Sequence, residues 1–397
     1  MATPQPTVQP ATRPAPATKP APVAAKPAPK PVAKTPPKPA KPVGPLKPLQ
    51  SFDHEIELAA AQFSPCGKYL FAAGTDATLY RYDVEKWEKI EIKGHNAWLS
   101  AIAFHPTDGR LFSLDSWGRI CAWNCADPAP KAIWTREDAH KGWAKHLAIS
   151  PDGKLLATCG ADKHVRLWST ADGSPVMTLA REKDKPAHDS VAFTLAFHPN
   201  GSALISGDLK GQIHEWSLPN GAHQRTLDAK SLFLHPDNIN DVGGVRRLVF
   251  FDAGKSVAAC GANPATAGFV TAKPVVLLYD WSTGKQTGQL QPPDVTAQDG
   301  FAFDAAQHPA GPLMVAASGS AGRGAFWYWK PGDPAPILVD RLQLHCRSIS
   351  LHPDGKRLAM IRYGAGGGNG KKLDKEGKYA GNPCTLKVFE FEPPVKA

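Results

Sequence analysis

Four histidines recur at similar positions in this sequence and could bind a metal ion. His105, His198, His308 and His352 each stand immediately before a proline, and imidazole nitrogen is a common ligand of zinc. A zinc site would need these side chains to converge, with each nitrogen at about 2 Å from the metal. Whether they can converge depends on the strands and turns that carry them.

Two other groups of residues could also do chemistry. The seven cysteines are scattered, with no Cys-x-x-Cys pair at a recognised zinc spacing, so we expect buried reduced thiols rather than disulfides. A loop rich in Gly and Lys, residues 364–383, lacks the Lys-Ser/Thr ending and the following helix of a phosphate loop. We therefore predict no cofactor and no bound metal.

The elements that carry these residues form a repeat. A short motif occurs seven times, and successive copies lie 41 to 57 residues apart. This phrase consists of an aromatic or aliphatic residue, then a small residue or His, then Pro and finally Gly. The copies are residues 63–67, 104–109, 149–153, 197–201, 250–254, 307–311 and 351–355, of which the fifth lacks the proline. Pro fixes φ and Gly accepts a positive φ, so the phrase predicts a turn between two strands.

Short runs with strand character flank the turns, such as residues 99–104 before a turn and 155–158 after one. Four antiparallel strands in every ~45 residues describe one blade of a β-propeller, in which neighbouring blades bury each other's faces. We therefore predict an all-β fold, a seven-bladed β-propeller of four-stranded antiparallel blades, over residues 46–397.

This arrangement separates the turn histidines. They occupy equivalent turns of different blades, so they would be spread around the bottom rim of the propeller, too far apart to share a metal. We expect them to be solvent-exposed turn residues.

Two further spacings relate the first four copies. A His stands 11 residues before each turn proline, and an aromatic residue stands 17 residues after it. The histidines are His54, His95, His140 and His188, and the aromatics are Tyr82, Trp123, Trp168 and Trp216. With this joint spacing and the pair Gly94-His95, the chain resembles the WD-repeat family over roughly residues 46–392, although no copy ends in Trp-Asp.

The resemblance implies a hydrogen-bonded tetrad inside a blade, made of a His, a Ser or Thr, an Asp and the Trp. The third copy has all four at the corresponding positions, His140, Thr158, Asp162 and Trp168. The Asp would orient the imidazole, which can in turn bond the hydroxyl. These are also the residue types of an activated nucleophile, but the hydroxyl is expected in mid-strand under an indole, so we interpret the tetrad as structural.

The other early copies look incomplete. The first has Ala72 at the hydroxyl position, and the second and fourth place Trp117 and Lys210 near the Asp position. We expect those blades to be held chiefly by packing.

The two ends of the repeat region complement each other. Residues 46–52 have the character of a fourth strand with no repeat before it, and residues 385–391 form a third strand with no fourth strand behind it. We predict that the N-terminal strand pairs with the C-terminal one and closes the last blade, which removes the open edges of the ring.

The N-terminal segment has a different composition. The first 48 residues contain 16 prolines, seven lysines and Arg13, with no acidic residue before Asp53. Such a segment cannot bury a core, so residues 1–45 are predicted to be a disordered basic tail. The tail accounts for most of the net charge of +10. It is interpreted as a tether, with binding to nucleic acid or an anionic surface as the alternative.

The same sequence predicts the location of the protein. The N-terminus has no apolar segment of signal-peptide length, and no stretch approaches 18 apolar residues. We expect a cytoplasmic protein without membrane insertion, which acts as a monomer or as part of a complex.

Departures from the minimal repeat indicate where a partner could bind. In the family's topology, the connections between blades and the loops between second and third strands share the top face. Trp98, Trp117 and Trp143 are expected there, either as exposed binding residues or packed over their own blades. Inserts at residues 262–273 and 364–383 map to the same face, and Lys371 and Lys372 of the second insert could form a mobile basic lid or a solvated loop.

We therefore expect a non-catalytic scaffold that binds a protein or peptide through its top face and uses the tail as a tether. The alternative is an accessory protein that binds nucleic acid or another anionic polymer through the tail. A propeller enzyme is disfavoured, because no converging carboxylates, metal ligands or nucleophile can be named.

Overall fold

The computed structural model describes residues 46–234, 242–266, 271–319, 323–343, 345–363, 372–373, 379–380 and 383–392. Within these residues the strands form seven four-stranded antiparallel sheets, which confirms the predicted propeller and its blade count. The predicted tail, residues 1–45, lies outside the described residues. Helices are short in the described ranges, and none has the length and apolar character needed to cross a bilayer.

Strands are numbered in chain order, and each blade is lettered a to d from the central channel outwards. The first strand, β1 (Leu46–His54), belongs to the last blade. Blade 1 contains β2 (Leu58–Phe63), β3 (Tyr69–Gly74), β4 (Leu79–Asp83) and β5 (Lys89–Ile92). Blade 2 contains β6 (Leu99–Phe104), β7 (Arg110–Asp115), β8 (Ile120–Asn124) and β9 (Ala132–Arg136). Blade 3 contains β10 (Ala144–Ile149), β11 (Leu155–Gly160), β12 (Val165–Ser169) and β13 (Pro175–Leu179).

The later blades follow the same order. Blade 4 contains β14 (Ala192–Phe197), β15 (Ala203–Asp208), β16 (Gln212–Ser217) and β17 (His223–Asp228). A short 3-10 helix, η1 (Lys230–Leu232), and the pair β18 (Phe233–Leu234) and β19 (Val242–Gly243) connect it to blade 5. Blade 5 contains β20 (Arg247–Phe251), the 3-10 helix η2 (Asp252–Gly254), β21 (Ser256–Thr266), β22 (Thr271–Asp280) and β23 (Gln286–Leu290).

The last two blades complete the ring. Blade 6 contains β24 (Phe301–Gln307), β25 (Leu313–Ser318), β26 (Gly324–Trp329) and β27 (Leu338–Asp340). Blade 7 contains β28 (Cys346–Leu351), β29 (Arg357–Tyr363), β32 (Cys384–Phe391) and, as its outer strand, β1. A two-stranded hairpin, β30 (Lys372–Leu373) and β31 (Tyr379–Ala380), lies between β29 and β32 in the sequence.

The predicted closure of the ring is confirmed. Strand β1 pairs antiparallel with β32, from Leu46 opposite Phe391 to His54 opposite Cys384. At the far end of the pairing, Phe52 packs on Tyr82 of blade 1 with ring centroids 4.3 Å apart. The N-terminal strand therefore supplies ladder hydrogen bonds to blade 7 and apolar contact to blade 1.

The hydrophobic core is divided among the interfaces between blades. Successive side chains of a strand point to opposite faces of its sheet, so in β7 Leu111 packs with residues of blade 1 and Phe112 with residues of blade 3. Seven large clusters within the described residues join each blade to the next, including blade 7 to blade 1. No blade can bury both of its faces without its neighbours.

The two predicted inserts differ in what the structure describes. In blade 5 the insert lengthens the b and c strands, whose pairing runs from Ser256 opposite Asp280 to Thr266 opposite Thr271. In blade 7, Lys371 lies outside the described residues, and Lys372 is described only as part of β30, where it is paired with Ala380. The proposed basic lid therefore falls largely outside the described residues.

The turn histidines are buried, which corrects the expectation that they are solvent-exposed. Their exposed fractions are 5% to 8%, for His105, His198, His308 and His352. His352 Nε2 lies 2.9 Å from the carbonyl oxygen of Gly67, His198 Nε2 3.1 Å from that of Gly254, and His308 Nε2 3.2 Å from that of Gly355. Each of these histidines thus contacts the turn of the next blade around the ring, a neighbour that is distant in sequence.

The cysteines and the possible metal ligands are also placed by the structure. Six cysteines are buried, as predicted, while Cys66 in the first turn is exposed. No group of three or more His, Cys, Asp or Glu side chains within the described ranges is arranged to hold a metal ion.

Candidate functional site

His140, Thr158, Asp162 and Trp168 lie together in blade 3. His140 Nδ1 is 2.8 Å from Asp162 Oδ1, and His140 Nε2 is 2.8 Å from Thr158 Oγ1. The Trp168 indole N–H donates to the same hydroxyl over 2.8 Å. Since the indole nitrogen can only donate, the hydroxyl accepts from Trp168 and donates to His140, whose other nitrogen donates to the carboxylate.

This tetrad is buried, and its polar atoms are hydrogen-bonded. Thr158 is fully buried, and His140 and Trp168 are each 4% exposed. Burial lowers the pKa of His140, although Asp162 opposes the shift. Burial by itself would raise the pKa of Asp162, but hydrogen bonds from His140 and Arg166 hold it below its usual range. The Thr158 hydroxyl has no exposed surface to meet a substrate, so the tetrad can hold strands together but cannot act as a nucleophile.

Blades 2 and 4 carry the same tetrad, which corrects the expectation that they are held chiefly by packing. In blade 2, His95 lies 2.6 Å from Ser113 Oγ and 3.0 Å from Asp115 Oδ2, and Trp123 donates to Ser113 over 2.7 Å. The equivalent set in blade 4 is His188, Ser206, Asp208 and Trp216, with distances of 2.7 to 3.1 Å.

The position of the carboxylate explains why these two tetrads were not predicted from the sequence. In blade 3 the Asp follows the hydroxyl residue by four positions and lies in the turn after β11. In blades 2 and 4 the Asp follows the Ser by two positions and is the last residue of its strand. An alignment that expects the Asp in the turn therefore finds Trp117 or Lys210 instead.

Blade 1 uses tyrosine hydroxyls where blades 2, 3 and 4 use a tetrad. His54 Nε2 lies 2.6 Å from the Tyr82 hydroxyl, and Tyr80 donates its hydroxyl proton to Asp76 over 2.6 Å. Burial raises the pKa of both phenols, so they remain protonated. The contact between His54 and Tyr82 joins the outer strand of blade 7 to blade 1, where Ala72 provides no hydroxyl.

Trp98, Trp117 and Trp143 are exposed residues of blades 2 and 3, here called the tryptophan patch. Their side chains are 58%, 66% and 54% exposed, respectively. The rings of Trp98 and Trp143 lie 6.4 Å apart between centroids, which is contact distance for two indoles. Each of the three residues is therefore more than half exposed.

Hydrogen bonds hold the backbone beneath the tryptophan patch. The Ser116 N–H donates to the Trp98 carbonyl over 2.7 Å, and the Ser116 carbonyl accepts from Ala144 over 3.2 Å. Asp115 Oδ1 accepts the Trp117 N–H over 3.0 Å, while its other oxygen contacts His95. The blade 2 tetrad therefore fixes the turn that presents Trp117. A surface ordered in this way loses little conformational entropy when it binds.

The a strands line a central channel with a volume of ≈ 960 Å³. Six of them, within the described residues, have a register break near their first residue that leaves one residue unpaired. These residues are Ala59, Ser100, Lys145, Phe193, Phe303 and Arg347, and Arg246 takes the equivalent position in blade 5. A β-bulge redirects a side chain, and all seven residues line the channel. We call them the bulge ring.

Cations and aromatic rings alternate along the bulge ring from blade 3 to blade 7. Lys145 Nζ lies 5.6 Å and Arg246 Cζ 4.9 Å from the centroid of Phe193. Arg347 Cζ lies 5.1 Å from the centroid of Phe303 and also contacts the Tyr363 ring. These distances are typical of cation–π interactions. The cations are therefore held in place by the neighbouring rings.

A second layer of charged residues follows the bulge ring along the a strands. Arg247 Nε lies 3.1 Å from Asp304 Oδ1, and another nitrogen of Arg247 contacts His146 Nε2. Asp304 also accepts the backbone N–H of Ile349 over 3.0 Å. Burial lowers the pKa of His146 well below its usual range, and the charge of Arg247 adds to the effect. In this layer the positive charge of Arg247 is therefore paired with the carboxylate of Asp304.

The bulge ring was not predicted from the sequence, although the sequence carries a signal for it. Every member stands six residues before the turn proline of its copy, or before Asp252 in the fifth copy. The constant offset does not by itself indicate a site, because the seven positions carry different residue types. It becomes meaningful only when the strands are known to surround one channel.

Comparisons with known proteins agree with this architecture. The family model described as "WD domain, G-beta repeat" matches residues 132–169 and 173–217, which correspond to β9–β12 and β13–β16. Each match therefore begins on the outer strand of one blade and continues through three strands of the next.

Several curated proteins resemble parts of the chain. Target of rapamycin complex subunit wat1 of Schizosaccharomyces pombe is 29% identical over 161 residues, which are 40% of this chain and 48% of that protein. A p21-activated protein kinase-interacting protein 1-like of Gallus gallus is 31% identical over 34% of this chain and 36% of its own. Pre-mRNA-processing factor 19 of Caenorhabditis elegans is 24% identical over 39% and 30%. The chain spans less than half of each relative.

Proposed function

Because this chain is a WD-repeat β-propeller, we propose that it is a non-catalytic scaffold that binds a protein or peptide partner on its top face. The tryptophan patch carries this proposal. Three indoles that are each more than half exposed lie on a backbone fixed by hydrogen bonds. Tryptophan is enriched among the residues that dominate binding energy at protein interfaces.

Two other observations support the proposal. The names of two relatives describe a complex subunit and a kinase-interacting protein. In addition, the hydroxyls of the three tetrads are buried and serve the packing of strands, which favours a structural role for the residues that most resemble catalytic ones.

The double variant Trp98→Ala/Trp143→Ala tests the proposal. Affinity capture from cell extract with the wild-type chain should retain a defined set of proteins that the double variant no longer retains. Val176→Ser provides the matched control, because Val176 is 50% exposed on the outer strand of blade 3, away from the patch. If all three proteins retain the same set while melting at the same temperature, the patch is not the binding surface.

The basic tail supports a second candidate, in which the protein associates with nucleic acid or another anionic polymer. Six lysines and one arginine in residues 1–45, without an acidic residue, would make salt-sensitive contacts with phosphates. Binding of DNA by the full chain, lost when residues 1–45 are removed and weakened by salt, would support this candidate. Binding that is unchanged by the deletion would exclude the tail.

We propose a cytoplasmic location for the protein. Six buried cysteines in the reduced state are consistent with a reducing compartment. Imaging of the chain with a fluorescent tag tests the location.

A further inference from the structure

Three cations of the bulge ring have no counter-ion in the part of the chain that the structure describes. Among the described residues, no carboxylate lies within 4.0 Å of Lys145, Arg246 or Arg347. By contrast, Arg247, the next residue after Arg246, has Asp304 at 3.1 Å. The Nε atom of Arg246 is buried and has no hydrogen-bond partner among the described residues. A buried guanidinium nitrogen without a partner is costly, because it has lost its water and gained no acceptor.

The three cations also act on one another. Burial and the charge of Arg347 lower the pKa of Arg246 to about 10. Burial and the charge of Arg246 lower the pKa of Lys145. Arg246 therefore remains charged at neutral pH in a partly dehydrated space. An anion at this position would offset their repulsion and accept the free N–H of Arg246.

The surroundings favour entry from one side of the channel. Blades 1 and 2 contribute only the small residues Ala59 and Ser100 to the bulge ring, whereas the cations of blades 3, 5 and 7 have long side chains. The channel mouth is therefore more open beside blades 1 and 2. Lys145 also lies 4.2 Å from the centroid of the Trp143 ring. The cationic wall is thus continuous with the tryptophan patch, and one extended ligand can contact both.

We propose that the top mouth of the central channel binds an acidic peptide segment of the partner protein. A Glu or Asp carboxylate of the peptide contacts Arg246 with Arg347 or Lys145, and an adjacent apolar residue contacts the tryptophan patch. This inference rests on the proposed scaffold function and names the chemistry of its partner.

Two other occupants fit less well. A single-stranded nucleic acid needs free aromatic faces for its bases, but cations already cover the rings of Phe193 and Phe303. The protein's own tail carries only positive charge before Asp53 and does not complement a cationic wall. A carboxylate-bearing peptide matches the charge of the cationic wall.

Fluorescence anisotropy with the full chain tests the proposal. The probes are a labelled peptide of alternating Glu and Asp around one Phe, the same peptide with Gln and Asn, and a labelled short oligothymidylate. We expect the acidic peptide to bind, the neutral peptide to bind at least about tenfold more weakly, and added salt to weaken the acidic peptide. Equal affinity for both peptides, or tighter binding of the oligothymidylate at the same site, would overturn the proposal.

Variants assign the binding to the bulge ring. Arg347→Gln and Arg246→Gln should each weaken the acidic peptide about tenfold, whereas Lys154→Gln should not. Lys154 is a matched control because its side chain is 82% exposed in the bottom turn of blade 3. Arg347 is exposed, so its variant should fold even if Arg246→Gln does not. If partner capture depends on the tryptophans while both arginine variants keep full affinity, the scaffold function stands and this inference fails.

Discussion

Asp115 shows how one buried side chain can serve two purposes. One carboxylate oxygen contacts His95 in the tetrad, and the other accepts the N–H groups of Trp117 and Arg119 over 3.0 Å each. Burial by itself would raise the pKa of Asp115, but the hydrogen bond with His95 and those from the backbone hold it below its usual range. The charged carboxylate therefore stabilises the blade and also shapes the turn beneath the tryptophan patch.

Replacing this carboxylate should cost stability. We expect Asp115→Asn to lower the free energy of unfolding by about 1–3 kcal/mol, because the amide cannot accept at both positions. Urea denaturation measures the change. Asp138→Asn is the control, since Asp138 is exposed and has a φ of 53°, which Asn tolerates. Equal losses in the two variants would show that blade 2 is held by packing after all.

Two glycines of equivalent turns provide a matched test of the histidine contacts. Gly109 and Gly153 have φ values of +76° and +75°, but a Cβ at Gly153 would lie 2.1 Å from His105 Nε2, whereas one at Gly109 meets nothing within 4 Å. Gly109→Ala should cost about 1 kcal/mol for its φ alone. Gly153→Ala should cost about 1–3 kcal/mol more, because the buried imidazole must move. Thermal unfolding compares them, and equal melting temperatures would contradict the contact.

Histidine burial also predicts how stability depends on pH. Burial, together with the charges of His188 and His223, lowers the pKa of His214 to about 2 in the folded state. The unfolded chain takes up that proton near pH 6.5, so the stabilisation is complete above this pH and is lost as the pH falls.

The size of this effect can be measured. From pH 7 to pH 5 the contribution of His214 should fall by about 1–2 kcal/mol. His214→Gln should therefore flatten the dependence of unfolding free energy on pH across that range, and His164→Gln, at a partly exposed position, is the comparison. Parallel curves for wild type and His214→Gln would refute the assignment.

At the scale of single residues, the sequence predicted contacts within a copy better than contacts between copies. The His and Trp of three tetrads stood at constant offsets, so His140, Thr158, Asp162 and Trp168 could be named together. The burial of His105 could not be predicted, because the Gly153 turn that covers it belongs to the next blade. Asp115 was missed because the carboxylate shifts by two positions between copies.

At the scale of elements, β1 is the strand on which closure depends. It pairs along its length with β32 and places Leu46 and Phe52 against neighbouring blades. Deleting residues 46–53 should lower the melting temperature by at least about 5 °C, because β32 becomes an open edge and apolar contacts are lost.

The deletion of residues 1–40 is the control for that experiment. It removes only part of the predicted tail and should leave the melting temperature within about 1 °C of the full chain. Differential scanning calorimetry of both truncated chains gives the comparison. Equal effects of the two deletions would argue against closure by β1.

Elements were predictable where alternation and turn chemistry coincide. The seven turns located the a and b strands, and the chain ends indicated how β1 and β32 pair. The β-bulges were not predictable, because a register break depends on which residues of two strands lie opposite each other. The bulge ring followed from that register and not from composition.

At the scale of the whole molecule, the sharing of core clusters predicts cooperative unfolding. Trp123, Trp216 and Trp327 are fully buried in blades 2, 4 and 6 and report on separated parts of the ring. We expect tryptophan fluorescence and far-ultraviolet circular dichroism to give coincident urea transitions.

A variant at the junction of blades 7 and 1 sharpens this test. Leu386 is fully buried in the cluster that joins them, so Leu386→Ala should cost about 2–5 kcal/mol. Both signals should shift together to lower urea. If the fluorescence of the distant tryptophans keeps its midpoint while circular dichroism shifts, the blades unfold independently.

The β-bulges also separate two requirements on the sequence, the pairing of strands and the recognition of a ligand, which usually compete for the same residues. A bulged residue contributes no cross-strand partner, so its identity can change without altering the pairing of its neighbours. Six blades carry such a residue and blade 5 places Arg246 at the equivalent position, and together these positions determine the electrostatic character of the channel mouth. Exchanging Lys145, Arg246 and Arg347 for acidic residues would invert the charge that a ligand meets while leaving the strand ladders intact. The ring thus offers an interchangeable recognition surface on a constant framework.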